Sequence, residues 1–295
     1  MNVFPKDKTI THFSSSMKAS YNVDLGSTIQ VESHDCYGGQ VDSEKVLRPH
    51  IDLSIMNQAT GPFFVNGLEK SDVLKLDIID IELDDTGIMV TSEGLGILGD
   101  EVASNVTKMF PVKDDKIHFT DDLNIPIKPM IGVIGTAPDS GDYSCAIPGP
   151  HGGNLDTKDI APGHTLYLPV FQKGGLFALG DLHASMGDGE LNGTGVEIGG
   201  KSTLHISKIE GKQITSPIVE TNEHFMFLSS AETLDDAMKW GASRTTAYLQ
   251  EKLQVDFGLA YRLLSSTCDM KISQIVNDLV TVRIAVPKYV LPELF

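Results

Sequence analysis

Cysteine is scarce in this chain, and its few cysteines form no recognisable pattern. Cys36, Cys145 and Cys268 are far apart, odd in number and include no CxxC pair. This spacing argues against a disulfide framework. It is typical of proteins from a reducing compartment, where cysteines stay unpaired. The N-terminus also lacks the apolar stretch of a secretory signal peptide, so we expect a cytoplasmic protein.

Long apolar runs and positive charge are missing as well. No run approaches the roughly 18 residues of a membrane span, so no membrane partner is expected. The chain has 40 acidic and 23 basic residues, a formal net charge of −17. Such a surface repels phosphate backbones, and therefore no nucleic-acid partner is expected. A small neutral or cationic ligand, or a metal ion, fits this charge better.

Several common catalytic signatures are also absent. The sequence has no GxSxG nucleophile elbow and no HExxH zinc helix. The Gly-Ser-Ser-Ser and Ser-Ser-Lys signatures of serine-based amidases are missing too. The usual hydroxyl route to amide cleavage therefore has no support here.

What is present is a strand-rich pattern with a helical end. Short stretches with β-branched or alternating residues, separated by turns rich in glycine and proline, lie at 27–33, 72–83, 164–171 and 202–209. Residues 230–267 have helical spacing instead, with an N-cap predicted at Ser230 and a second helix over 257–267. The sequence predicts a mainly β, β-sandwich-like fold with a smaller α/β portion carrying C-terminal helices. We expect one unit over 1–295, β-rich over 1–229, with the helical segment packed on it.

The stretch GDLHASMGDGE at 180–190 concentrates acids, a histidine and glycines. If the segment is extended, Asp181 and His183 lie on the same face and Leu182 points into the core. A carboxylate and an imidazole side by side suit a divalent metal. Glycines at 187 and 189 let the chain fold back towards Glu190. A glycine-rich turn with solvated acids is the alternative.

Two further loops attract attention. PGPHGGNLD at 148–156 places His151 before two glycines, where little apolar packing explains a histidine, although a surface loop is the alternative. VESHDCYGGQ at 31–40 ends a strand with Asp35 and continues through Cys36 into a Gly-Gly turn. A small buried cysteine is the common outcome there, and a thiol nucleophile is the alternative.

At these loops the chain closely resembles the acetamidase/formamidase family of amide hydrolases. The matching features are Asp35 with Gly38-Gly39-Gln40, ATGPFFV, IGVIGTAP, PGPHGGNLD, LYLPVFQKGGLFALGDLHASMGDGE and NGTGVEI, in order over nearly the whole chain. The resemblance implies a largely β fold, a homo-oligomer such as a homodimer, and hydrolysis of a small linear amide of the acetamide or formamide type. At 295 residues the chain is similar to the shorter, acetamidase-like members.

With that reaction in view, a divalent metal would activate water and polarise the amide carbonyl. We predict four metal ligands, namely Asp35, His151, Asp181 and His183. Glu190 is the predicted base, with His151 and Asp35 as further catalytic groups. The histidines favour zinc, whereas an acid-dominated site would prefer calcium or manganese. The predicted substrate-binding residues are Gly61, Phe63, Gly152, Gly153 and Asn154.

Two alternatives remain open at this point. Cys36 could attack the amide itself, although carboxylates nearby would raise the pKa of its thiol. The protein could instead be a non-catalytic β protein that only holds a metal or a small ligand.

Overall fold

The computed structural model describes all residues from 1 to 295 and is built mostly from short strands. In chain order, strands β1 to β22 are Asn2–Phe4, Thr9–Ile10, His12–Ser14, Tyr21–Asp24, Thr28–Ser33, Ala59–Asn66, Val73–Leu83, Thr86–Thr91, Val106–Lys113, Lys116–His118, Asn124–Pro126, Met130–Gly135, Asp142–Ser144, Gly152–Asn154, Thr165–Pro169, Gly175–His183, Glu197–Ile198, Gly200–Ile209, Ile218–Glu220, His224–Ala231, Asp269–Gln274 and Val280–Pro287. The helices are α1 (Leu234–Leu253) and α2 (Phe257–Thr267). Short 3-10 helices span Arg48–His50, Leu53–Ile55 and Gly99–Glu101.

Two large sheets organise these strands. The first has nine strands in the order β1-β5-β18-β7-β15-β19-β20-β22-β21. The second has eleven, along the path β11-β10-β9-β8-β17-β16-β12-β14, with β6 beside β16 and with β2 and β4 beside β6. A separate pair joins β13 and β3. The mainly β fold predicted from the sequence is confirmed.

The main core contains side chains from both sheets. Its 32 buried residues include Val31 and Leu76 from the first sheet and Ile131, Phe177 and Leu182 from the second. Burying an aliphatic or aromatic side chain of this size contributes about 1.5–3 kcal/mol. Because strand residues alternate between faces, the same strands can present polar groups on their other side.

The helices pack at the C-terminal end of the chain, as predicted, but the first begins later than expected. Ser230 still belongs to β20, where it pairs with Thr281 of β22. Thr233 caps α1 instead, since its side chain accepts a hydrogen bond from the Asp236 N–H. The α2 helix spans the predicted range. Neither helix has the length and apolar character needed to cross a membrane.

One stretch matches the letters of a phosphate-binding loop without its structure. Residues 195–202, GVEIGGKS, fit the GxxxxGK[ST] pattern. A phosphate loop needs a strand, a glycine-rich loop and then a helix. Here the segment runs through β17 into β18, a long strand in the first sheet. The backbone N–H groups are therefore not arranged to surround a phosphate.

Candidate metal centre and its cavity

The end of β16 supplies the first two side chains of the site. Asp181 and His183 are both buried, and Leu182 between them points into the core as predicted. The strand is not regular, however, because Asp181 has a φ of 58° in the left-handed region. The two side chains still converge, with His183 Nε2 3.6 Å from Asp181 Oδ1.

Three more acids reach the same point from other segments. Glu197 of β17 pairs directly with His183 of β16, so both side chains lie on one face. Asp156 follows β14, and Glu190 lies in the glycine-rich loop after β16. Asp156 and Glu190 also have positive φ values, of 36° and 49°. Such backbone costs about 1–3 kcal/mol per residue and clusters at functional sites.

His183 lies at the centre of this acid cluster, which we define as Asp156, Asp181, His183, Glu190 and Glu197. Its Nε2 is 3.1 Å from Glu197 Oε2 and 4.0 Å from Asp156 Oδ1. All five members are buried, and none of the four carboxylates pairs with a lysine or arginine. Ligand atoms of Asp156, His183 and Glu190 lie within 4.8 Å of one another.

Few hydrogen bonds satisfy these buried groups. Asn57 donates to Asp181 Oδ2 at 3.1 Å, and Asn277 donates to Asp156 Oδ2 at 2.8 Å. The Gly195 N–H donates to Glu190 Oε1 at 3.0 Å. The remaining atoms without partners are Asp156 Oδ1, Asp181 Oδ1, His183 Nδ1 and Glu197 Oε2. Buried polar atoms are normally paired, so this concentration of free acceptors indicates a site for a cation.

Burial and mutual repulsion shift the protonation of the cluster. Burial raises the pKa of Asp156 and of Glu197 to about 7; the charge of Asp181 adds to the rise and the charge of His183 opposes it. Burial and the charge of Asp156 raise the pKa of Glu190 well above its usual range. For His183, burial lowers the pKa, but Glu197 and Asp181 outweigh it and hold the pKa well above its usual range. Carboxylates this crowded need added positive charge to remain ionised.

Gly132 of β12 makes room for two of the acids. A Cβ at this position would lie 2.7 Å from Asp156 Oδ1 and 2.8 Å from Asp181 Oδ2. We expect Gly132→Ala to displace both carboxylates and lower turnover about 100-fold, the cost of a displacement near 1 Å. Gly187→Ala is the matched control, because no atom lies within 4 Å of its Cβ. Equal turnover in both variants would contradict this role of Gly132.

A cavity of about 240 Å³ opens onto the cluster. Its wall includes Asp156, Asp181, Glu190 and Glu197 together with the polar side chains of Asn57, Asn154 and Asn277. Apolar side chains complete the wall: Leu53, Met56, Val90, Leu95 and Val276. Arg48 and Thr194 also line the cavity. A small cavity that combines apolar and polar side chains is typical of a site for a small ligand.

Asp35 and His151, two of the four predicted metal ligands, do not reach this cluster. The Asp35 carboxylate accepts hydrogen bonds from the backbone N–H groups of Tyr37 and Gly39, which stabilise the turn, and it lines a different cavity. The His151 ring lies between Phe13 and Tyr143, with centroid distances of 5.3 Å to each. His151 makes no ion pair and does not line the 240 Å³ cavity. The structure therefore does not bring Asp35 and His151 together with the other two predicted ligands, Asp181 and His183.

The position of His151 has a consequence for stability. Burial lowers the pKa of His151 to about 4, so the folded protein keeps this ring neutral where an unfolded chain would protonate it. Its contribution to stability is complete above the unfolded pKa, about 6.5, and is lost as the pH falls towards 4. When the pH is lowered from about 7.5 to about 5, the free energy of unfolding should fall in both proteins. We expect the fall to be about 2 kcal/mol smaller in His151→Phe than in the wild type. Urea unfolding at both pH values measures this, and parallel losses would contradict it.

Most of the predicted substrate-binding residues have structural roles. Phe63 stacks with Tyr21 and Phe177 in the core. Gly61 lies in β6 against Ala178, where a Cβ would come within 3.0 Å. Gly152 and Gly153 lie in β14, and the Gly152 N–H already donates to the Gly149 carbonyl. None of these four residues lines the 240 Å³ cavity.

Asn154 is the predicted substrate-binding residue that does line the cavity. It pairs with Val133 in the sheet, is 3% exposed, and its Oδ1 has no hydrogen-bond partner. A free amide oxygen in a cavity wall can accept a hydrogen bond from a ligand N–H group.

Cys36 also lies at the cavity, within 4.8 Å of ligand atoms of Asp181 and Glu197. Burial, followed by the charges of Glu197 and Asp181, raises the pKa of its thiol well above the usual range. A nucleophilic cysteine needs the opposite shift, because the thiolate is the reactive form. The structure thus offers no support for a thiolate at Cys36.

Sequence reasoning missed two members of the cluster. Asp156 and Glu197 lie in the stretches PGPHGGNLD and NGTGVEI, whose acids gave no local hint of a partner. Glu197 becomes a neighbour of His183 only through the β16–β17 register.

Arg283 of β22 connects the segments behind the cluster. Its fully buried guanidinium is 2.6 Å from Asp188 Oδ1 and 2.7 Å from Asp159 Oδ2, and it donates to the Ile272 carbonyl. Asp188 lies two residues before Glu190, and Asp159 lies three residues after Asp156. Arg283 therefore ties both acid-bearing segments to the C-terminal hairpin β21–β22.

Comparison with known proteins places this site in a family. The acetamidase/formamidase family model matches residues 6–141 and 144–291. An acetamidase structure from Bacillus halodurans is 40% identical, with a TM-score of 0.97 and 99% of each chain covered. The structure of a predicted acetamidase/formamidase from Thermoanaerobacter tengcongensis is 39% identical, with a TM-score of 0.96, covering 99% of this chain and 97% of that one.

A curated formamidase from Methylophilus methylotrophus is more distant. It is 27% identical over 245 residues, which cover 63% of this chain and 60% of that protein. The chain thus spans about 60% of the length of this curated relative. The family model nevertheless matches almost the whole chain and confirms the resemblance seen in the sequence. The chain belongs to the acetamidase/formamidase family.

Proposed function

We propose that this protein hydrolyses small linear amides to a carboxylate and ammonia. The acid cluster at the wall of the 240 Å³ cavity carries the proposal, because it joins buried acid–base groups to a space for a small ligand. Membership of the acetamidase/formamidase family supports the same reaction class. The relatives named acetamidase and formamidase point to short acyl groups.

We also propose a divalent metal cofactor held by Asp156, Asp181, His183 and Glu197. The fit comes from the site itself: each of the three acids has a buried oxygen without a hydrogen-bond partner, and His183 Nε2 faces these acids at 3.1 to 4.0 Å. Four carboxylates around one imidazole carry excess negative charge that a dication would neutralise. One nitrogen and several oxygens are acceptable to zinc, while the majority of oxygens also suits calcium or manganese. When bound, such an ion supplies a Lewis acid and a more acidic water.

The protein's own groups have distinct tasks in this proposal. Glu190 is the acid–base group: its carboxylate takes a proton from the attacking water, and its raised pKa favours holding that proton until it passes to the departing nitrogen. The Gly195 N–H orients its carboxyl group. Asn154 Oδ1 accepts a hydrogen bond from the substrate NH₂ group, which places the nitrogen inside the cavity.

The cavity limits the acyl group. With about 30 Å³ per water-sized group, 240 Å³ holds about eight such groups. Formamide and acetamide therefore fit with room to spare, and the apolar wall of Leu53, Met56 and Val90 favours acyl chains with a few methylene groups.

Ammonia release tests the proposal. The purified protein is stripped with a chelator, reloaded separately with zinc, manganese or calcium, and incubated with formamide, acetamide, propionamide and butyramide. We expect metal-dependent ammonia release by the wild type and a loss of about 10²–10⁴-fold in Glu190→Gln, the usual contribution of a positioned acid–base group. Metal binding without ammonia release on any amide would favour a non-catalytic binding protein.

The proposal extends to the oligomeric state of the protein and to its cellular compartment. We propose a cytoplasmic homodimer or higher homo-oligomer. The three cysteines are all free, which supports a reducing compartment. Trp240, Phe257 and Tyr261 are exposed on the helices and offer apolar surface for a second copy. A single-chain mass by analytical ultracentrifugation would contradict the assembly.

A further inference from the structure

Tyr37 is a buried tyrosine whose hydroxyl has no partner. It follows Cys36 in the turn after β5, its side chain is 0% exposed, and it lines the 240 Å³ cavity. The hydroxyl makes no hydrogen bond within the protein. Buried tyrosines usually find a partner for this group, so an unpaired hydroxyl needs an explanation.

Packing does not explain it. The ring belongs to a small apolar cluster with Val41, Ile51, Ile88 and Val90. A phenylalanine would make the same contacts without burying an unpaired O–H, which costs about 1–3 kcal/mol. The hydroxyl is therefore a feature that the apolar cluster does not require.

Tyr37 differs from the other unpaired oxygens of the cavity wall because it can donate a hydrogen bond. The buried oxygens of the wall without partners are Tyr37 Oη, Asn154 Oδ1, Asp156 Oδ1, Asp181 Oδ1 and Glu197 Oε2. Among these five, the tyrosine hydroxyl is the one donor, whereas ionised carboxylates and an amide oxygen only accept. The side-chain amides of Asn57 and Asn277 each use one of their two N–H groups to donate to Asp181 and Asp156, and the Arg48 guanidinium is a further donor in the wall. Tyr37 differs from these three because its donor is a fully buried hydroxyl with no partner.

An amide substrate presents both kinds of group. Its nitrogen donates hydrogen bonds and its carbonyl oxygen accepts them. The wall offers several acceptors for the nitrogen and one unpaired buried hydroxyl for the oxygen. We propose that Tyr37 is a catalytic residue whose O–H donates a hydrogen bond to the carbonyl oxygen of the bound amide. This inference rests on the proposed amide hydrolysis.

The hydrogen bond would strengthen during the reaction. When the oxygen of water bonds to the carbonyl carbon, one proton of that water passes to the carboxylate of Glu190, and the C=O π electrons move to the carbonyl oxygen, which becomes negatively charged. The Tyr37 hydroxyl stabilises that charge and keeps its own proton. The C=O bond re-forms as the C–N bond breaks, and the nitrogen leaves with the proton delivered by Glu190. A donor aimed at such an oxygen contributes about 10²–10³-fold to the rate.

Tyr37→Phe tests the inference because it removes only the hydroxyl. We expect kcat on acetamide to fall about 10²–10³-fold while KM changes little. Bound metal per chain should stay at the wild-type value, and the melting temperature should stay the same or rise, because a buried unpaired group has been removed.

Tyr167→Phe is the matched control, with the opposite pattern. The Tyr167 hydroxyl donates to Glu220 Oε2 at 2.7 Å, and neither residue lines the cavity. Its loss should lower the melting temperature and leave kcat unchanged. The contrast separates a hydroxyl that acts on substrate from one that holds the fold.

Three results would overturn the role of Tyr37. Turnover in Tyr37→Phe within twofold of the wild type would show that the hydroxyl does not act on the substrate. Loss of bound metal in this variant would show that the hydroxyl serves the acid cluster instead. A wild type that releases no ammonia from any amide would remove the proposed function and this inference together. Ammonia release at similar rates by the wild type and by Tyr37→Phe would remove this inference and leave the proposed function standing.

Discussion

His183→Ala should lose both its bound metal and its activity. His183 is the one nitrogen ligand in a cluster of four carboxylates, and its Nε2 lies within 4.0 Å of three of them. Removing the ring leaves buried acids without the group that links them. We expect turnover to fall at least about 10³-fold, since the charge stabilisation that a metal supplies amounts to several kcal/mol.

Metal per chain by elemental analysis and ammonia release from acetamide measure this result. His205→Ala is the control, because His205 lies in β18 and contacts Thr28 rather than the acid cluster. It should keep full metal content and turnover. A His183→Ala protein that binds metal normally and hydrolyses amides at the wild-type rate would exclude His183 from the centre.

Arg283→Met should cause the largest loss of stability outside the core. The guanidinium is fully buried and lies within 2.7 Å of the carboxylates of Asp159 and Asp188. Methionine fills part of the space but leaves Asp159 without its cation, while Asp188 keeps only the ion pair with Lys158. Removing one partner of a buried ion pair costs about 3–5 kcal/mol.

The free energy of unfolding in urea measures the loss. Lys70→Met is the matched control, because Lys70 pairs with Asp139 at the surface, with both side chains more than half exposed. An exposed pair contributes about 0–1 kcal/mol. Equal unfolding free energies for the two variants would show that Arg283 does not stabilise the acid-bearing segments.

The sequence predicts much of the architecture because strand and helix patterns are local. The stretches at 27–33, 72–83 and 202–209 coincide within two residues with β5, β7 and β18. The α2 bounds follow from its own residues and from Asp256, which caps its first turn. The order of strands depends on pairings between distant segments and has no such local signal.

The site is predictable only where its residues are neighbours in the chain. Asp181 and His183 flank a core leucine, so a local pattern places both at one point. Glu197 arrives through strand register, and no local pattern contains it. Asp35 and His151 also lie beside glycines, but those glycines serve a turn and a close approach of strands, and neither side chain lines the 240 Å³ cavity. Glycine-rich surroundings alone therefore do not distinguish a ligand from a residue of the framework.

The left-handed backbone at Asn57, Asp156, Asp181 and Glu190 has a consequence for the evolution of this protein. Glycine adopts this conformation without strain, so replacing one of these side chains by glycine would relax the local backbone. If variants of this protein were selected for heat resistance alone, glycine would accumulate at these four positions. The selected variants would be inactive as catalysts. Selection for turnover must therefore act continuously at these four positions against a bias towards more durable, inactive chains.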